Sequence, residues 1–363
     1  VPYLGADPHT SPWVLADELW ICQRPRHVVW WQLRIAVPQS RSNTFKQRSK
    51  IMRGCIVSPV TRHVLTFLLF TLGTAATAYA EATLRYKFKA GDETRYVLTQ
   101  SMTTEMTLPQ QEKPLTSNMT QTMHFKNVVD EVASDGSARM RQTFTRIKIA
   151  IRSSAPGAQP FDYDSAAEKE VTGPIADAIL QSIKPLLNAE IQQSMSPRGE
   201  VSDVVVPQSL LDAFKSNPAL AAMGNTFSAE GIKNLSTQSA IAFPEKPLAV
   251  GDAWDQAIDL KLPIGKLITT KTTRYAGKND AGFEKLGVST KLTMEPAANA
   301  PVSMKLTNGK GEGEILFDPA RGRLHSSTLK QTMAAELSAG GQTIQQKSET
   351  EVTLRLDEGT TTR

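Results

Sequence analysis

The sequence predicts an α+β fold: a large, curved, mainly antiparallel β-sheet, open enough to be a half-barrel, with a short helical insert packed on one face. Three observations predict it. The stretches from Leu84 to Ile151 and from Pro247 to Leu356 alternate apolar and polar side chains, the period of strands with one face on a core. The early runs are too long for a compact sandwich. Between them, 174–238 changes to the spacing of short helices.

The elements follow in order. Leu84, Tyr86 and Phe88 alternate with Arg85, Lys87 and Lys89, which predicts a first strand. Ala90-Gly91-Asp92 turns the chain. A strand of about fourteen residues follows, with Tyr96, Leu98, Met102, Met106 and Leu108 on one parity. After a polar loop at Pro109–Ser117 comes a second long strand, carrying Met119, Met123, Phe125 and Val129 on one face. Asp135-Gly136 is a hairpin turn. The return strand runs through Met140, Phe144, Ile147, Ile149 and Ile151. Its apolar parity switches between Phe144 and Ile147, which a β-bulge explains.

Pro174–Leu187 has helical spacing, opens after Thr172-Gly173 and is ended or kinked by Pro185. Ser196-Pro197-Arg198-Gly199 reads as a hairpin turn between Ala189–Met195 and Glu200–Val206. Gln208–Met223 and Ser228–Gln238 read as two further helices. Strands are then expected near Trp254–Leu262, Leu267–Tyr275, Phe283–Met294, Val302–Thr307, Glu312–Phe317, Leu324–Leu337 and Thr343–Leu356, the last two joined at Gly340-Gly341. Val250-Gly251-Asp252-Ala253-Trp254 echoes Ala90-Gly91-Asp92 with Tyr96 and hints at a duplicated unit.

Address is legible at the other end of the chain. Arg53, Arg62 and His63 precede the short apolar run Val64–Leu72, and Ala78-Tyr79-Ala80 supplies small residues before Glu81. Residues 52–80 are therefore expected to be a secretory signal peptide cut after Ala80, with an uncleaved anchor as the alternative. Residues 1–51 hold four of the five tryptophans and no sustained period. They are expected to be a mis-assigned, disordered extension ahead of a start at Met52, the alternative being a genuine N-terminal arm. The expected product is one exported β-rich domain, 81–363, of the periplasm, the bacterial cell envelope or the medium.

Charge agrees with that division. The 363-residue chain has 41 basic and 36 acidic side chains and a pI near 9.1, but residues 1–80 hold nine of the basic and three of the acidic ones. The remaining 32 basic and 33 acidic residues leave 81–363 without the positive field that nucleic acid requires. Cys22 and Cys55 both precede Glu81, so the exported part has no disulfide, thiolate metal site or cysteine nucleophile.

No catalytic constellation stands out. His124 and His325 read as solvated strand histidines, and no G-x-S-x-G elbow accompanies them. Asp162 and Asp164, with Glu168 and Glu170 nearby, lack the turn glycine and spacing of a calcium loop; an Asp capping its own turn through Ser165 fits better. Gly309-x-Gly311-x-Gly313 runs into a strand, so it reads as a bend or close backbone approach and not as a phosphate cradle. Glu312 and Glu314 share a face, which alone does not make a glycosidase pair. No cofactor and no metal are expected.

The methionines are the compositional oddity. Met102, Met106, Met119, Met123, Met140, Met294, Met304 and Met333 all fall in expected strands, where thioethers suit either ordinary core filling or an adaptable ligand surface. Met102, Met106, Met119, Met123, Phe125 and Met140 are the candidate ligand-binding residues. 

A series of blocks carries a resemblance: Gly91-Asp92 with Tyr96, Tyr163-Asp164-Ser165, Ser196-Pro197-Arg198-Gly199-Glu200-Val201, Pro244-Glu245-Lys246-Pro247 with Gly251-Asp252-x-Trp254, and Gly311-x-Gly313 with Phe317-Asp318 and Gly322-Arg323-Leu324. Together they resemble a family of exported bacterial β-rich proteins classed as a domain of unknown function, over nearly all of 81–363. The resemblance implies no activity. Three classes of function remain: a binding module for a hydrophobic or lipid-like ligand, by fold analogy with lipoprotein-carrier half-barrels; an envelope structural or protein-interaction domain without a cavity; and an enzyme with an unrecognised site.

Overall fold

The computed structural model describes residues 81–109, 111, 113–167, 171–217, 228–297, 300, 302–339 and 341–358, all within one compact unit, Tyr79–Arg363. The expectations for 1–51 and 52–80, for Glu168 and Glu170, for Gly340 and for the end of the Gln208–Met223 helix lie outside the described residues.

The sheet is antiparallel throughout. Its strands are β1 (Glu93–Thr107), β2 (Leu115–Val132), β3 (Ala138–Ser153), β4 (Phe161–Asp164), β5 (Glu190–Met195), β6 (Val201–Val205), β7 (Ala253–Leu262), β8 (Gly265–Lys278), β9 (Glu284–Pro296), β10 (Ser303–Asp318), β11 (Arg323–Ala339) and β12 (Gln342–Leu356). They lie in the order β6-β5-β3-β2-β1-β12-β11-β10-β9-β8-β7. β3 gives its first half to β5 and its second half to β4. The two runs expected at Val302–Thr307 and Glu312–Phe317 are a single strand, β10, because Thr307 is only a bulge in its ladder with β11. The bulge expected between Phe144 and Ile147 is Thr145: His124 pairs with Arg146 and Phe125 with Phe144.

Among the described residues the insert holds three helices: α1 (Pro174–Ile183), α2 (Gln208–Ser216) and α3 (Ala229–Ser239). α1 begins on Pro174 and passes into a 3-10 turn at Lys184-Pro185-Leu186, where proline removes a backbone donor. α3 is capped by the Ser228 hydroxyl, which accepts from the Gly231 N–H at 3.1 Å. All three pack on one sheet face. α1 lies on Ile147 and Ile149 of β3, α2 on Ile191 of β5 and Phe144 of β3, and Ile232 of α3 joins the α2 cluster. Among the described residues no helix is long and apolar enough to cross a membrane.

α3 also fixes the curvature. It touches both edge strands, β6 and β7. In a flat sheet those edges would be ten steps of ~4.8 Å apart, whereas an eleven-residue helix is about 16 Å long. The sheet must therefore curl until its edges approach, with α3 between them. No ladder joins β6 to β7, so the sheet stays open.

One expected strand is absent. Residues 83–89 form no ladder. Instead the segment crosses one end of the curled sheet, here named the base, bonding to a different element at each step. Ala82 bridges Leu248; the Tyr86 N–H donates to the Pro197 carbonyl at 2.7 Å, and the Lys87 N–H to the Gly322 carbonyl at 3.0 Å. The period of two is real, because Leu84, Tyr86 and Phe88 face the core, but no partner runs alongside for long enough to make a strand. Close approach needs glycine at the turns it crosses. A Cβ on Gly199 would lie 2.2 Å from the Ile241 carbonyl oxygen and 2.5 Å from the Tyr86 ring.

The Gly-Asp echo has a structural counterpart. Gly91 donates to Val129 and receives Val129 back on Asp92, while Asp92 donates to Lys89; Gly251, Tyr275, Asp252 and Ala249 repeat the same three bonds. β1 and β7 thus start identically, each held to the strand that follows it.

Candidate functional site

Direct cross-strand partners share a face, so the ladder registers define the inner surface residue by residue. At the base it is filled. Tyr86 stacks on Phe243 at 5.4 Å and meets Phe317 edge-on at 5.3 Å, beneath Leu84, Leu248, Leu286 and Ile315. Leu286 and Phe317 have no exposed surface. Burial pushes the Tyr86 hydroxyl well above its ordinary range and the Tyr96 hydroxyl up to about 12, so both stay neutral. Tyr96 donates to the Leu324 carbonyl at 3.1 Å and Tyr275 to the buried Glu284 carboxylate at 2.6 Å. These are core anchors, since each hydroxyl is consumed by a protein acceptor.

Away from the base the same face changes. Ile344, Gln346 and Thr350 of β12 are half-buried while Thr343, Gln345, Lys347 and Glu349 are exposed; Met304 and Leu306 of β10 alternate with Ser303, Lys305 and Thr307 in the same way. The inner side chains there are sheltered without being packed into any of the buried clusters.

One rung crosses this region. Gln256 of β7 pairs with Lys271 of β8, Lys271 with Thr290 of β9, and Thr290 with Gly311 of β10. Gly311 pairs with Gln331 of β11, and Gln331 with Thr350 of β12. Thr350 pairs with Met102 of β1, Met102 with Met119 of β2, and Met119 with Ile151 of β3. The rung is polar on its β7–β12 side and apolar on its β1–β3 side. Burial lowers the pKa of Lys271, and no carboxylate contributes to that shift. The Thr290 hydroxyl is buried without a hydrogen-bond partner and sits 2.6 Å from where a Cβ on Gly311 would stand.

The six residues expected to bind a ligand all lie on this face, at different depths. Met102 and Met119 are cross-strand partners, Met106 pairs with Leu115 nearer the far end, and all three are half-buried. Met123 packs beneath α1 against Ile147. Phe125 and Met140 are buried, the first beside Tyr96 and the second with Val129 and Ala138. The face is thus shared, but only Met102, Met106 and Met119 line its sheltered part. Lys271 was legible and not singled out: it stands on the inner parity of Leu267, Thr273 and Tyr275, where a cation is out of place.

The remaining candidates take structural roles. Asp164 forms a two-bonded pair with Arg146, at 2.8 and 2.6 Å, which holds its carboxyl far below the usual range. It caps its turn through the Ala166 N–H at 3.1 Å and not through Ser165, whose hydroxyl instead accepts from the Ile147 N–H. Asp162 pairs with Arg152. Glu314 pairs with Lys285. His325 is the bulge residue of β11 and stacks on Phe283 at 4.1 Å. His124 faces outward, in a cleft of about 160 Å³ with Arg95, Thr145, Arg146 and Asp357. Among the described residues no group of three metal-ligating side chains converges.

The sequence matches no curated protein. Among solved structures, a lipovitellin structure concerned with lipid–protein interactions aligns at 13% identity and a TM-score of 0.41, over 75% of this chain and 26% of that one. The chain therefore spans about a quarter of the length of that protein. An outer membrane channel from Pseudomonas putida F1 aligns at 7% identity and a TM-score of 0.23, over 77% of this chain and 98% of that one. At this level neither neighbour informs the chemistry of this chain. A family model matches residues 135–324, more than half of the sequence, and the chain accordingly belongs to that family, one of unknown function (DUF6263).

Proposed function

We propose that this protein is an exported, non-catalytic binding module of the cell envelope, which holds a hydrophobic, lipid-like ligand on the inner face of its curled sheet. One observation carries the reading: the same inner face that is packed solid at the base is only half-buried around Met102, Met106 and Met119, which stand there among Gln100, Thr104, Ser117 and Gln121. An acyl chain laid there would contribute about 0.8 kcal/mol per buried CH₂. Flexible thioethers would accept chains of differing shape, so selectivity for chain length should be low.

Native mass spectrometry of the protein purified from its own host tests address and ligand together. The expected species begins at or near Glu81 and carries an added lipid-sized mass. In a delipidated sample, Met102→Gln with Met119→Gln should weaken uptake of a fluorescent acyl chain about tenfold, because two apolar contacts become polar at nearly constant volume. Equal uptake by the folded double variant would show that the chain does not lie on these residues.

A further inference from the structure

The polar half of the rung specifies what the ligand carries at its end. Lys271, on an inner face of Leu267, Thr273 and Tyr275, is half-buried, and no carboxylate offsets the burial that lowers its pKa. An ammonium held partly out of water without an anion is an unfavourable arrangement for a folded protein to retain. Beside it on β9 is the unsatisfied Thr290 hydroxyl, and across β7 and β11 are the amides of Gln256 and Gln331. Gly311 leaves the middle of the rung without a side chain, so the donors flank a stretch of bare backbone. Further along the same rung the surface becomes methionine.

We infer that the occupant is a single-chain amphiphile with a carboxylate head, bound with the head at Lys271 and Thr290 and the chain along Met102 and Met119. This assignment rests on the binding reading above. One cation matched by neutral donors suits a head of one negative charge, since a carboxylate accepts several hydrogen bonds and neutralises one ammonium. The arrangement also fixes direction: the head lies on the β8–β9 side and the tail on the β1–β2 side, because exchanging them would bury the charge against thioethers and leave Lys271 facing hydrocarbon.

The test uses the delipidated domain, oleate, and oleyl alcohol as a neutral ligand of equal chain length. The unsubstituted protein should bind oleate about tenfold or more tightly than the alcohol, the span of one charge-assisted hydrogen bond. Lys271→Met should bring oleate down to the affinity of the alcohol, and Lys271→Arg should keep the preference. Lys271→Met removes a sheltered charge and is expected to fold. If Lys271→Met binds oleate as tightly as the unsubstituted protein, the head-group assignment is overturned and the proposed binding on the inner face stands. If the unsubstituted protein binds neither ligand, that binding reading itself fails. An alkyl phosphate bound more tightly than the carboxylate of equal length would overturn the choice of carboxylate.

Discussion

Single residues in this protein are decided by which partner reaches them, and His124 shows how a pH response follows. Its pKa is lowered from 6.5, first by burial and then by Arg146 and Lys148, with Asp357 and Asp164 opposing. The folded state therefore binds the proton less readily than the unfolded chain. Stability from this group is present above the unfolded value of 6.5 and is lost as pH falls through the lower folded value. Melting temperature should fall on going from about pH 7.5 to about pH 5, and His124→Gln should make the fall shallower. An unaltered slope in that variant would assign the acid sensitivity to other groups. Asp164, on the other side of Arg146, works in the same sense at lower pH: its ionised form is favoured by Arg146, so its contribution is lost only in strong acid.

At the scale of the element, β10 carries the sharpest test. Its inner positions 309, 311 and 313 are glycine, and a Cβ at Gly313 would come within 2.2 Å of the Thr328 carbonyl oxygen. The neighbouring strand leans over bare backbone there, which is how a sheet bends tightly without breaking its ladder. Gly313→Ala should therefore destabilise by about 1–3 kcal/mol through forced displacement of β11. Gly287 of β9 is the control: the nearest atom to its Cβ is the Arg274 carbonyl at 4.0 Å. Gly287→Ala should be neutral, or stabilising by about 0.4–1 kcal/mol through the unfolded chain. Denaturant midpoints of the two variants decide it, and equal midpoints would remove the argument for close approach at β10.

The molecule as a whole has one solid end and one stretch whose inner face is half-buried around Met102, Met106 and Met119. The base brings together residues 82–88, Phe243, Leu248 and the strand ends at Tyr96, Tyr275, Leu286, Phe317 and Leu324. Opening it requires loss of the global fold, whereas the far halves of β1 and β2 lose only half-buried contacts on opening. Amide exchange should be slowest in peptides covering Leu286–Val288 and Ile315–Phe317 and measurably faster in Met102–Met119. Saturation with ligand should slow the second group and leave the first unchanged. Uniform protection along β1 and β2 in the ligand-free protein would mean that the inner face is an ordinary core throughout.

Apart from the short β4, whose residues read as a loop, the ladder strands, helix positions and even the Thr145 bulge were written in local patterns, because side-chain period and turn chemistry act over a few residues. So was membership of the inner face: Met102, Met106, Met119, Met123, Phe125 and Met140 share it through parity alone. Three things were decided only by the tertiary structure. The segment 83–89 looks like a strand but crosses the base, since alternation records a buried face and says nothing about a ladder partner. Phe125 and Met140 are core while Met102 and Met119 are sheltered, because depth depends on which end the N-terminal segment and residues 241–248 close. Lys271 meets Met102 on one rung only because β12 returns to pair with β1, a contact between the two ends of the folded chain that no local pattern encodes.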